Sequence, residues 1–168
     1  ILIDAKKDVN IIAKEYKVGS LNYTKKSGLF GLSKAVSKVQ FDKLSLHKST
    51  LQTTALNVIV KSGQDINIIA SDIKAQTDVQ LEAFDKLLIS AGEEIQKSGN
   101  YNHKSKFNPI AVVTGLVGLG TAYEAQEHKL DNYDTKAVSS NIQAGNNIIV
   151  KTGSTKIIGS NLEADNSI

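Results

Sequence analysis

The sequence predicts an all-β fold: a parallel β-helix, or solenoid, with two excursions from its coils. Three observations lead there. The first is a duplicated block, in which Asn57-Val58-Ile59-Val60-Lys61-Ser62-Gly63 returns as Asn147-Ile148-Ile149-Val150-Lys151-Thr152-Gly153. Each copy leads into Ala70-Ser71-Asp72-Ile73-Lys74-Ala75 or its echo, Gly159-Ser160-Asn161-Leu162-Glu163-Ala164. Internal repetition of this kind usually decides the architecture. The second is a short rhythm inside the block, apolar residues alternating over three to five positions between polar turns, which is the strand signal. The third is composition. The 168 residues are 40% hydrophobic but only 5% aromatic, with no Trp, Met or Cys and one Pro. A core of Ile, Val, Leu and Ala suits thin stacked layers.

The elements follow in order. Residues 1–22, 46–100 and 138–168 read as coils. Between 56 and 91, Val58 and Val60 point inward, then Ile66 and Ile68, Ile73 and Ala75, Val79, Leu81 and Ala83, and Leu87, Ile89 and Ala91. Gly63-Gln64-Asp65, Ala70-Ser71-Asp72, Thr77-Asp78 and Asp85-Lys86 are the turns between them. The coils share a turn vocabulary: Lys7-Asp8-Val9-Asn10-Ile11, Gln64-Asp65-Ile66-Asn67-Ile68 and Asn146-Asn147-Ile148-Ile149-Val150. Stacked at about 4.8 Å, such strands satisfy one another's backbone groups. Asn67, Asn146, Asn147 and Asn161 are expected to form polar ladders or to satisfy turns.

Two segments, about 23–46 and 101–137, break the rhythm. They correspond, because Asn22-Tyr23 matches Asn100-Tyr101 and each turns basic before a Phe. The chain begins at Ile1-Leu2-Ile3-Asp4-Ala5 and ends at Asn166-Ser167-Ile168 in mid-pattern. It therefore reads as a single β-helix fragment, 1–168, of a longer protein. The fragment is expected to be monomeric, with end-to-end association through coil edges bared by truncation.

The string Lys25-Lys26-Ser27-Gly28-Leu29-Phe30-Gly31, followed by Gly63-Gln64-Asp65-Ile66-Asn67-Ile68-Ile69-Ala70-Ser71-Asp72-Ile73, resembles the hemagglutinin repeats of filamentous-hemagglutinin-like exoproteins. It resembles more closely the second hemagglutinin-repeat region of contact-dependent growth inhibition (CdiA-type) exoproteins of two-partner secretion systems. The second excursion departs from the pattern, since Lys104-Ser105-Lys106-Phe107-Asn108-Pro109 lacks the Gly pair. The resemblance implies a right-handed parallel β-helix in a long filament, secreted to the bacterial cell surface through an outer-membrane transporter. It also implies a part in moving a toxin across the outer membrane of a target cell, or adhesion in relatives outside those systems.

The most apolar stretch is Ile110–Ala122. It is too short for a transmembrane helix, which needs about 20 residues, but long enough for a membrane-crossing strand. If membrane or partner contact occurs, Leu29, Phe30, Phe107, Ile110, Val112, Val113, Leu116, Val117 and Leu119 are its candidates. The plainer reading has the stretch folding back to cover the coils. Lys25, Lys26, Lys104 and Lys106 are candidates for contact with an anionic surface, their plainer reading being solvated turns. Gly115-x-x-Gly118-x-Gly120 is not the dinucleotide fingerprint, because the glycine order is wrong.

No catalytic residue, metal ligand or cofactor is expected. His47, His103 and His128 have no partner at zinc-ligand spacing. Glu93 and Glu94 are adjacent and would face opposite sides of a strand, and Asp131 has no evident acid–base partner. Asp65, Asp72, Asp78 and Asp85 sit at turns without the Gly-Gly-x-Gly-x-Asp run that calcium-binding repeats need. The net charge of +3 and the lack of any nucleic-acid-binding signature argue against a nucleic-acid partner. The expected function is a non-catalytic structural and delivery segment of a secreted toxin exoprotein that engages the target-cell outer membrane. An adhesin module for a surface receptor or glycan is the alternative, and a carbohydrate-processing β-helix enzyme a minor one.

Overall fold

In the computed structural model, which describes residues 1–28, 33–107 and 123–168, every regular element is a strand. The chain makes four circuits. The first comprises β1 (Leu2–Ala5), β2 (Val9–Ile12), a long pair β3 (Lys14–Ser27) and β4 (Ser33–His47), and β5 (Thr50–Gln52). The second has only short strands: β6 (Val58–Ser62), β7 (Ile66–Ile69) and β8 (Asp72–Ala75). The third repeats the first: β9 (Val79–Ala83), β10 (Lys86–Ser90), a long pair β11 (Gly92–Phe107) and β12 (Tyr123–Val138), and β13 (Asn141–Ala144). The fourth repeats the second: β14 (Ile148–Lys151), β15 (Ser154–Ile158) and β16 (Asn161–Ala164).

The short strands of successive circuits lie side by side in three sheets, β1-β6-β9-β14, β15-β10-β7-β2 and β16-β13-β8-β5. All their pairings are parallel. Like residues therefore stack on like: Ile11, Ile68, Ile89 and Ile157 form one column, and Leu51, Ile73, Ile142 and Leu162 another. The inner side chains of the three sheets meet in one core. Val58, Val60, Ile66, Ile68, Ile73, Val79, Leu81, Ile89 and Ile142 are fully buried there, each worth about 1.5–3 kcal/mol of apolar burial. The alternation in the sequence locates these positions, and Ala91 is the one expected inward residue that is only half-buried.

Polar side chains hold the circuits at their turns. The Asp78 carboxylate accepts from the side chains of Asn146 and Asn147, both at 3.1 Å, and from the Asn147 N–H at 3.1 Å. The Asp65 carboxylate accepts from the Lys86 N–H, and its own N–H donates to Asp8. Asn67 donates to Asn10, and Asn161 to Asn141. On the outer side of the first sheet, Asp4, Lys61, Glu82 and Lys151 occupy one cross-strand row.

One joint admits all the inserted chain. In the second and fourth circuits, Ala70 is followed directly by Ser71 and Gly159 by Ser160, with Ala70 (φ 47°) and Gly159 (φ 56°) in the left-handed region. In the first and third, the equivalent residues are Ala13 and Ser49, and Ala91 and Ser140, and the long strands run between them. The four hydroxyls still do the same thing. Ser49 donates to Ile12 O, Ser71 to Ile69 O, Ser140 to Ser90 O and Ser160 to Ile158 O. The inserted strands thus begin at Lys14 and Gly92, upstream of the visible sequence break at Tyr23 and Tyr101, and they run back to His47 and Val138.

The four long strands make a separate sheet, in the order β12-β11-β4-β3. Their outer parts, Lys17–Leu44 and Ile95–Asp134, form a unit distinct from the parallel sheets. β11 and β4 pair antiparallel, from Ile95 opposite Leu44 to Lys106 opposite Ser33. Each excursion, read from the sequence only as a break in a parallel pattern, is a pair of consecutive strands that are neighbours in this sheet, β3 with β4 and β11 with β12, and so a hairpin.

Candidate functional site

Among the described residues, the long-strand sheet contributes nothing to the buried hydrophobic core. Every residue of β3 is exposed, and Ser105 is the one buried residue among the described positions of 95–134.

The register assigns side chains to faces. Lys38, Gln40 and Asp42 lie opposite Tyr101, Gly99 and Lys97, and partners directly opposite share a face. A Cβ on Gly19 would stand 2.8 Å from the Asp42 carboxylate, and one on Gly99 would stand 3.0 Å from the Asp131 carboxylate. Gly19 and Asp131 are therefore on this first face too. Alternation along β3 then adds Leu21, Tyr23 and Lys25. Lys97 Nζ lies 5.4 Å from the centroid of the Tyr133 ring, within cation–π range. The first face thus carries Tyr23, Tyr101 and Tyr133 among lysines. A shallow hollow of about 370 Å³ lies over Gly19, bounded by Lys17, Asp42, Leu44, Ile95 and Lys97.

Its acidic groups are already engaged. Gln40 donates to Asp42 at 2.8 Å, and Lys129 pairs with Asp131 at 3.0 Å. The bond to Asp131, with its charge, raises the pKa of Lys129. Rings, ammonium groups and amides are thus brought together on one face.

Of the predicted contact residues, Lys25 and Lys26 are in β3, and Lys104 and Lys106 are in β11, all exposed. Lys25 and Lys26, being adjacent, face opposite ways. Lys26 and Lys104 line one hollow with Thr24 and Asn102, and alternation puts Lys106 on that same second face. Phe107 is the last residue of β11. Leu29, Phe30, Ile110, Val112, Val113, Leu116, Val117 and Leu119 lie outside the described residues. His103 presents a buried Nδ1 with no hydrogen-bond partner among the described residues.

His47 and Glu94, also weighed from sequence, make contacts within the fold. The His47 ring lies tilted against Tyr16, with ring centroids 4.4 Å apart and planes at 54°, and Lys14 lies over the Tyr16 ring. Glu94 accepts the Leu46 N–H at 3.0 Å. Among the described residues, no group of three or more His, Cys, Asp or Glu is placed to hold a metal ion. No helix among them is long and apolar enough to cross a membrane, which leaves strands unaddressed.

Sequence reasoning missed the Tyr23, Tyr101, Tyr133 and Lys97 face. The matched Asn-Tyr pairs were its signal, yet without the register nothing showed that they share a surface.

No curated protein matches the chain, and no solved structure does. A family model for the hemagglutinin repeat matches residues 30–168. The matched span takes in β4, every later circuit and both arms of the second hairpin. This all-β chain of repeated circuits belongs to the hemagglutinin-repeat family.

Proposed function

We propose that the chain is a non-catalytic structural and delivery segment of a large secreted surface filament. In this reading the four circuits are turns of a right-handed parallel β-helix. The hairpins engage the outer membrane of a target cell on behalf of a contact-dependent toxin exoprotein, which leaves its own cell through an outer-membrane transporter.

One observation carries the reading: positive charge is concentrated on the hairpins. Residues 17–44 and 95–134 hold ten lysines against five acidic residues, although the whole chain is only +3. Lys26, Lys104 and Lys106 stand on one face of an uncovered sheet, on strands that lead into Leu29–Phe30 and the apolar run 110–122. Basic groups beside apolar ones favour an anionic lipid surface, at about 1 kcal/mol per lysine near it.

Flotation with outer-membrane vesicles tests this. The comparison form lacks residues 92–139, so that residue 91 joins Ser140 as Ala70 joins Ser71, with Ala91→Gly to permit the left-handed turn. The intact chain is expected to float and the excised form to remain at the bottom. Equal behaviour of the two, with the excised form still β-rich by circular dichroism, would remove the delivery role from this hairpin.

The tyrosine-lined first face supports a second reading, an adhesin surface for a glycan. There Tyr101→Ser would abolish binding to a glycan array, while vesicle flotation would be unchanged.

A further inference from the structure

Among the described residues the long-strand sheet ends in two strands with one neighbour each, β3 on one side and β12 on the other. Open edges of this length normally template further pairing unless they are blocked. Both edges have a relation to the central joint of the sheet. Asn22-Tyr23 on β3 repeats Asn100-Tyr101 on β11, and Lys129-Leu130 on β12 repeats the Lys-apolar pair Lys38-Val39 on β4. In the central joint, Tyr101 lies opposite Lys38 and Asn100 opposite Val39. The left edge is thus a copy of one half of the joint, and the right edge a copy of the other.

We propose that the free β12 edge binds the β3 edge of a further hairpin of the same kind, supplied by a second copy of this chain, in the register of the β4–β11 joint. Asn22 of one copy then lies opposite Leu130 of the other, and Tyr23 opposite Lys129. Charge does not oppose the joint, because Lys129 is paired with Asp131. The residues it would cover are now solvent-exposed, Tyr23 at 61% and Leu130 at 61%. The backbone is ready for it. Gly28 N donates to Ser33 O, so in the alternating antiparallel ladder the even residues of β3 bond to β4, and Leu21 and Tyr23 direct their N–H and C=O outward. Among the described residues a hairpin leaves the first and the third circuits, and each supplies two strands to this sheet. The contact is heterologous, β12 of one copy meeting β3 of the other.

The chain contains no cysteine, so the joint can be trapped directly. Asn22→Cys and Leu130→Cys chains are mixed and oxidised. The mixed disulfide dimer is expected to exceed either homodimer by about tenfold, since opposed Cβ atoms in a non-hydrogen-bonded pair suit a disulfide. Adding Leu21→Pro to the first chain removes only an outward N–H, and is expected to return the mixed dimer to background with the circular dichroism unchanged. Asp131→Pro in the second chain is an independent block should Leu21→Pro disturb the fold. Predominant homodimers would overturn the proposal, as would a mixed dimer indifferent to both prolines. So would the absence of dimer from chains that sediment as monomers at the same concentration.

Discussion

Ser140 Oγ donates to the carbonyl oxygen of Ser90 at 2.8 Å, across fifty residues of sequence. Between them lies a whole hairpin, yet the bond is the one that Ser71 makes to Ile69 over two residues. The corner is therefore built without reference to what is inserted in it. Ser140 is fully buried, and its hydroxyl also accepts the Ser71 N–H at 3.1 Å. Ser140→Ala leaves the buried Ser71 N–H unpaired, while Ser90 O keeps its bond from the Ala70 N–H, and should cost about 1–3 kcal/mol in urea denaturation. Ser160→Ala, at the half-exposed corner of the last circuit, should stay within about 0.5 kcal/mol.

The columns of like residues make stability unequal along the circuits. Ile68 is fully buried between Ile11 and Ile89, while Ile157, at the end of the same column, is 47% exposed. Ile68→Ala should lose about 2–5 kcal/mol, the usual range for a cavity in a packed core. Ile157→Ala should lose much less, because its site is open to water. Urea midpoints of the two variants check the ordering.

How much of this was legible beforehand follows from the same physics. Inward positions such as Val58, Ile66 and Ile73 alternate with polar ones, and a period of two survives in any sheet of this kind. The turn aspartates Asp65 and Asp78 were readable as turn chemistry, and they do hold backbone and amide groups of adjacent circuits. The hairpins were not readable as hairpins. Their strands carry no consistent apolar face, every residue of β3 being exposed, and so Lys14–Asn22 reads as more coil. The Ala–Ser joint was visible at Ala70-Ser71 and Gly159-Ser160. At Ala13 and Ser49, or Ala91 and Ser140, the partners are too far apart in sequence to be recognised without the bonds.

Acid should loosen the outer row of the first sheet. Glu82 bonds to Lys61 at 2.9 Å and to Lys151 at 3.0 Å, joining three circuits. The hydrogen bonds from these two lysines, with their charges, hold its carboxyl down at about 2. A carboxylate with a depressed pKa contributes stability above its unfolded value of about 4.5, and that contribution is lost as pH falls from there through 2. Asp72 works in the same sense. Burial pushes its pKa up, but the bonds from Lys48 and Asn141 outweigh it and the net shift is downward. Urea midpoints should therefore drop between pH 5 and pH 2. Glu82→Gln should flatten the fall while lowering the midpoint at pH 7, and the difference should shrink in high salt.

The most direct test of the corner is to close it. Removing residues 92–139 joins residue 91 to Ser140, and the circuit needs a left-handed residue there, as at Ala70 and Gly159. With Ala91→Gly, the shortened chain should keep its parallel sheets and melt cooperatively. With alanine retained, it should be less stable by about 1–2 kcal/mol, the cost of that conformation for a residue with a Cβ. Ala70 bears this strain in the second circuit because Ala70 N–H donates to Ser90 O and the side chain is fully buried. Ala91 makes the equivalent bond, its N–H donating to Ile158 O at 2.9 Å, so the backbone is already anchored on one side of the cut. If the glycine form failed to fold while the intact chain did, the hairpin would be a structural part of the third circuit rather than an insertion into it.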